Sequence, residues 1–170
     1  MFDGCVLGVD PGVARTGLAV LARRERKPFL VWSDTVRTPS TMREASRLRL
    51  IAEAVRAAIV EHRPESVAIE RVMWGSNTTS ALSVARSTGA IMVVAAEAGL
   101  EVDEYVPLEV KNAVTGLGNA DKLQVRQALI RVHGLLDVPQ QPDAADAVAV
   151  AVCHLTQARL RRVAARAGMR

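Results

Sequence analysis

Val6-Leu7-Gly8-Val9 is a short apolar run that stops at Asp10, and Pro11-Gly12 breaks it. The pattern predicts a buried strand ended by a turn. Gly17-Leu18-Ala19-Val20-Leu21 and Phe29-Leu30-Val31-Trp32 read as two more strands, joined by a polar turn from Arg23 to Pro28. Three strands with short links predict an antiparallel meander. The period then changes. Leu48, Ile51, Ala52, Val55, Ala58 and Ile59 form a helical stripe, predicting a helix over Ser40–His62 with Ser40 as its N-cap. Ser66 to Ile69 predicts a strand ending at Glu70, Thr78 to Ala98 a helix rich in Ala and Ser, and Val102 to Val106 a fifth strand. Short helical pieces follow, then a helix over Lys122–Val132. A last helix runs from Asp143 to about Val163, with Pro142 just ahead as a start signal.

The order is β-β-β-α-β-α-β-α-α. Helices after the fourth and fifth strands imply parallel crossovers. The expected fold is α/β, a five-stranded mixed sheet (three antiparallel, then two parallel strands) with helices on both faces. The 170 residues fit one domain, with a basic tail from about Arg159.

Composition narrows the function classes. No apolar run approaches the ~18 residues that span a bilayer, and Met1-Phe2-Asp3-Gly4 opens no signal sequence, so no membrane association and a cytoplasmic location are expected. Cys5 and Cys153 sit in apolar runs and read as small buried hydrophobes. The net charge of +4 fits a polyanionic partner. After Asp146 no acid occurs, while Arg159, Arg161, Arg162, Arg166 and Arg170 follow; the tail suits either a nucleic acid or a solvated helix end. Only three of 22 basic residues are lysine, namely Lys27, Lys111 and Lys122. Lysine is a compact point charge that arginine does not replace.

The chemistry lies in the carboxylates. Asp10 and Glu70 each end an apolar strand, an expensive position for an acid without a partner or metal. Strand C-terminal ends are where open α/β sheets bind ligands. On parallel neighbours the two acids would stand roughly 5 Å apart. Asp143 and Asp146, at i and i+3, share one face at the start of the last helix and are flanked by alanines. Capping alone would need one acid. Hard oxygen donors at this density suit Mg²⁺ or Mn²⁺ rather than zinc. Two such ions about 3.5–4 Å apart would serve an in-line phosphoryl displacement. His62, His133 and His154 have no metal-ligand spacing and are read as structural.

Four ordered segments resemble the RuvC family of Holliday-junction resolvases. They are Gly8-Val9-Asp10-Pro11-Gly12 with Thr16-Gly17, Ala68-Ile69-Glu70-Arg71-Val72, Val110-Lys111 through Gly116-Leu117-Gly118 to Ala120-Asp121-Lys122, and Asp143-Ala144-Ala145-Asp146-Ala147. The resemblance covers residue 8 to about 154. It implies an RNase H-like fold, a homodimer, and metal-dependent nicking of two like-polarity strands of a four-way DNA junction during recombination and repair.

By the same resemblance, Asp10, Glu70, Asp143 and Asp146 are catalytic metal ligands for two Mg²⁺ ions, with Mn²⁺ as substitute and Asp10 bridging. A metal-activated water would displace the 3′ oxygen and leave a 5′ phosphate. Lys111 and Lys122 fall near the scissile phosphate, and Gly116 and Gly118 would let backbone approach DNA. Such resolvases present an aromatic wedge after the second motif. This chain has Met73-Trp74 there, followed by Gly75-Ser76-Asn77, so Met73 or Trp74 is expected to unstack a base step and Asn77 to contact DNA. Thr78, Ala81, Ala85, Thr88, Gly89, Ala90 and Ala95 give the second helix a small-residue surface suited to dimerisation. The RuvA–RuvB motor is the implied partner.

Three other readings fit the sequence less well. Actin-like ATPases share a strand-Asp-Pro-Gly opening but need a second domain of similar size. A RuvC-like nuclease that trims ribosomal RNA precursors fits the Lys111–Lys122 segment and the Asp143/Asp146 pair less well. A non-catalytic junction-binding module would have no use for four acids, which repel phosphate unless metal intervenes.

Overall fold

The computed structural model describes residues 4–25, 27–71 and 78–166, with the side chains of 78–80 and 159–166 left aside. Met73, Trp74 and Asn77 lie outside the described residues, as do the side chains of the basic tail. Three strands come first: β1 (Cys5–Asp10), β2 (Arg15–Arg24) and β3 (Lys27–Arg37). Then follow α1 (Glu44–His62), β4 (Ser66–Glu70), α2 (Thr78–Glu97), β5 (Glu101–Tyr105), α3 (Pro107–Thr115), α4 (Lys122–Arg131) and α5 (Pro142–Arg166). The sheet order is β3-β2-β1-β4-β5. β1, β2 and β3 pair antiparallel, while β4 runs parallel to both β1 and β5. The expected sheet is therefore present, with α3 a full helix where the pattern gave only short pieces.

Alternation along the strands divides the core. Leu7, Val9, Leu18, Val20, Val67 and Ile69 face α1 and α2, meeting Ile51, Val55, Ile91 and Val94. Val6, Ala19, Leu21 and Ala68 face the other way, toward α3, α4 and α5. That second face is paved with small residues, and α5 comes very close to it. A Cβ at Gly8 would overlap the carbonyl oxygen of Ala147, and one at Gly17 would overlap that of Asp143. These two glycines make the seat on which α5 rests.

One local expectation is corrected. Ser40 does not cap α1: the helix starts at Glu44, with Arg43 at the N-cap and no side-chain capping bond. Thr38 explains the delay. Its N–H donates to Ala14 O (3.1 Å), its hydroxyl to Val13 O (2.5 Å), and Arg47 Nε donates to its Oγ1 (2.7 Å). The chain thus stays bound to the β1–β2 turn past Arg37, then turns through Met42 N–H to Pro39 O (3.2 Å) before the helix begins. Four of the small residues of α2, Ala81, Ala85, Thr88 and Gly89, do share a surface, lining one open groove of about 300 Å³. Ala81 and Thr88 lie at its buried edge, Ala85 and Gly89 are exposed, and Ala95 alone of the set is packed in the core. Among the described residues, no helix is long and apolar enough to cross a membrane.

Candidate active site

Register brings the first two acids together. β1 pairs with β4 through Val9–Ile69, so Asp10 and Glu70 are the next pair of neighbours, side by side at the ends of parallel strands. Both point to the α5 face, in a row that also holds Gly17, paired to Asp10, and Tyr105, paired to Glu70. Because Gly17 lets the first turn of α5 descend onto the sheet, Asp143 and Asp146 arrive beside Asp10. The positive end of the α5 dipole favours Asp143 there.

The lysines come from the helices in between. Asp121 caps α4: its side chain accepts from Gln124 N–H and Gln124 Oε1 accepts from Asp121 N–H, both at 2.8 Å. That box fixes Lys122 as the first helical residue. Lys122 Nζ donates to Asp146 Oδ2 at 2.7 Å. In α3, Val106 N–H donates to Glu109 Oε2 at 2.9 Å, which fixes the start of the helix carrying Lys111. Asp10, Glu70, Asp143, Asp146, Lys111 and Lys122 all line one open cavity of about 400 Å³.

Charge crowding marks this cavity. The Asp10 carboxyl is pushed up to about 8, first by burial and then by Glu70, Asp146 and Asp143, against a lowering pull from Lys122. Glu70 is raised by burial and by Asp146, with Lys122 and Lys111 opposing. Lys122 is raised, chiefly through its bond to Asp146, and stays charged. Among the described residues, no three acidic, histidine or cysteine side chains are drawn tightly enough together to clasp an ion as they stand. The donor set nonetheless fits one: four hard carboxylates share a cavity whose lining cations, among the described residues, are Lys122 and Lys111.

Gly116 and Gly118 sit between α3 and α4, away from these acids. Gly116 ends α3 in the left-handed region (φ +78°), and a Cβ at Gly118 would press on Leu108 and Asn112. Both have local reasons to be glycine. The histidines have structural neighbours. His154 lies between Ser66 Oγ and Tyr105 OH, both at 3.0 Å, His133 Nε2 meets Val114 O at 2.9 Å, and His62 stacks on Trp32 at 5.0 Å. Cys153 is buried, its thiol pushed up to about 12 by burial and then by Glu109, while Cys5 is half-buried and also raised. Sequence reasoning quoted Gly8 and Gly17 only as motif letters and missed their part in seating α5. The signal was there: glycines at inward positions of two adjacent strands, opposite an alanine-rich helix.

The family description "Crossover junction endodeoxyribonuclease RuvC" matches residues 6–154. The chain belongs to the RuvC family. A RuvC of Syntrophomonas wolfei is 40% identical over 155 residues, covering 91% of this chain and 90% of that one. RuvC of Thermus thermophilus superposes with a TM-score of 0.83 at 33% identity, covering 92% of this chain and 96% of the other. The same protein in complex with a Holliday junction substrate gives a TM-score of 0.87 at 33% identity, covering 93% and 96%. The fold is RNase H-like, and the four RuvC motifs converge from β1, β4, the α3–α4 segment and α5 on one end of the sheet.

Proposed function

We propose that this chain resolves four-way DNA junctions by hydrolysing one phosphodiester in each of two strands of like polarity. One observation supports it most: four carboxylates and two lysines from four separate motifs line a single open cavity. The chain's RuvC membership, and a relative of the same fold bound to a Holliday junction, support the choice of DNA over other phosphodiesters.

Asp10, Glu70, Asp143 and Asp146 would hold two Mg²⁺ ions, for which Mn²⁺ substitutes. When bound, the ions supply a nucleophilic water near neutral pH and neutralise the oxygens of an in-line displacement. The chain's own residues do the rest. Asp10, the acid most strongly disfavoured as an anion, gives up its proton to bind metal, so ion affinity rises with pH. Lys122 carries a full charge on an exposed stem. It can leave Asp146 for the phosphate, where it offsets the charge that develops in the transition state. Lys111, which lines the same cavity, balances Glu70. The products are a 5′ phosphate and a 3′ hydroxyl, which a ligase can rejoin.

Symmetric cutting calls for two such sites, hence a homodimer. The outward stripe of α2, with Leu82, Ala85, Gly89 and Val93, is the surface we assign to it. Met73, Trp74 and Asn77, the loop after the second motif, are assigned to junction contact, and Gly116 and Gly118 to backbone contact with DNA. Residues 1–170 act in this reading as one nuclease domain, supplied with junctions by a RuvA–RuvB-type motor.

The test uses purified protein with a labelled four-way junction, a linear duplex and an RNA–DNA hybrid, each with and without Mg²⁺. Paired, ligatable nicks on the junction alone, and only with Mg²⁺, are expected. Binding without cutting would favour an architectural module, and cutting of RNA instead would move the chain to an RNA-processing role.

A further inference from the structure

The row of residues that carries the carboxylates does not end with them. On β2, Arg15 lies two residues before Gly17, and Arg37 on β3 is its direct partner. Directly paired residues put their side chains on the same face, and alternation along β2 makes it the α5 face, that of Asp10, Glu70 and Asp143. Two residues of strand separate this pair from the carboxylate row, roughly 7 Å.

Like charges directly opposite each other destabilise a sheet. Three other exposed arginines are paired: Arg49 with Glu53 and Arg56 with Glu97, both at 2.8 Å, and Arg86 with Glu44. Among the described residues, Arg15 and Arg37 have neither an ion pair nor a side-chain hydrogen bond, and both are exposed. Arg15 also lines an open groove of about 430 Å³ with Arg47, Gly12 and Ser83, and the groove's one acid is Asp143. The groove and the catalytic cavity share Asp143, and the groove's cations are Arg15 and Arg47. Arg47 is anchored there, its Nε and one terminal nitrogen held by Thr38. Gly12 also lines the groove, at a turn position where a Cβ would overlap Arg15 O.

We propose that Arg15, Arg37 and Arg47 form a phosphate-binding strip that holds the duplex arm flanking the cut, outside the catalytic cavity. This rests on the nuclease reading above. Two cations facing one another at the end of an edge strand are costly alone and favourable against a row of phosphates. Their attraction to DNA is sequence-independent and salt-sensitive, because each neutralised phosphate releases condensed counterions. The strip thus positions DNA and carries no base recognition.

The test is the salt dependence of binding. The affinity of the wild type and of Arg15→Gln/Arg37→Gln for a labelled four-way junction and for a linear duplex would be measured with Ca²⁺ from 50 to 200 mM salt. The double variant should show a plot of log affinity against log salt shallower by about two. It should bind roughly tenfold more weakly at mid-range salt. Its melting temperature should equal or exceed wild type, since a like-charge pair is removed. Arg49→Gln, whose arginine is paired to Glu53, should bind as wild type. If the double variant does not fold, Arg37→Gln alone carries the test with a slope shallower by about one. A slope and affinity equal to wild type would overturn the strip, and would leave the nuclease reading intact if the wild type still cuts junctions. Wild-type protein that cuts no junction, with a double variant that still loses duplex affinity and slope, would leave the strip standing and remove the nuclease reading.

Discussion

Asp10 has an ordinary carboxyl range near 3.8 and is held at about 8 in the folded chain, by burial first and by Glu70, Asp146 and Asp143 after it. A folded-state value above the unfolded one means the native state binds the proton more tightly. That contribution to stability is complete below about pH 4 and is lost as pH rises through about 8. The span corresponds to about 6 kcal/mol, or roughly 12–24 °C in melting temperature for a chain of this size. Asp10→Asn keeps the shape and removes the charge. In EDTA, wild type and Asp10→Asn should melt together near pH 4 and separate as pH rises, with the variant more stable at pH 9 by several kcal/mol. Saturating Mg²⁺ should raise the wild type and not the variant, closing or reversing the gap. A pH-independent difference between the two proteins, in EDTA from pH 4 to 9, would refute the claim that these carboxylates are crowded together.

Three further outcomes follow from contacts in the same region. Gly17→Ala drives a Cβ into the Asp143 carbonyl, so α5 should shift, costing about 1–3 kcal/mol in urea melts and about 100-fold in single-turnover cleavage. Lys122→Gln should change stability by less than ~1 kcal/mol, because its bond to Asp146 is largely exposed. Cleavage should nevertheless fall on the order of 100-fold at saturating junction, with unchanged rate counting against a role at the phosphate. Arg126 donates to Pro139 O at 2.6 Å and to Val138 O at 2.9 Å, holding the segment that leads into α5. Arg126→Ala should destabilise by about 1.5–3 kcal/mol, seen as a lower urea midpoint, and Arg126→Lys should recover part of it.

Much of the architecture was legible because it rests on periodicity. The apolar runs of β1 and β4 and the stripe of α1 are each set by which face must be buried, and the structure places them as expected. Strand ends at Asp10 and Glu70 were legible for the same reason, since an acid halts an apolar run. What escaped is tertiary. Ser40 has the chemistry of a cap, yet Thr38 and Arg47 hold the chain elsewhere. Ala95 read as part of the small-residue surface of α2, although it is buried in the core. The closeness of α5 to the sheet depends on Gly8 and Gly17 meeting Ala147 and Asp143 across more than 120 residues of chain, which no local window contains. The Arg15–Arg37 pair exists only once the β2–β3 register is known.

The central claim is that the four carboxylates at this end of the sheet form a metal-dependent junction-cutting site. The most direct measurement is cleavage of a labelled four-way junction by wild type and Asp10→Asn in Mg²⁺, with binding measured beside it. The account predicts paired nicks from the wild type, none from the variant, and junction affinity at least as tight in the variant. Cleavage by Asp10→Asn at the wild-type rate would contradict it.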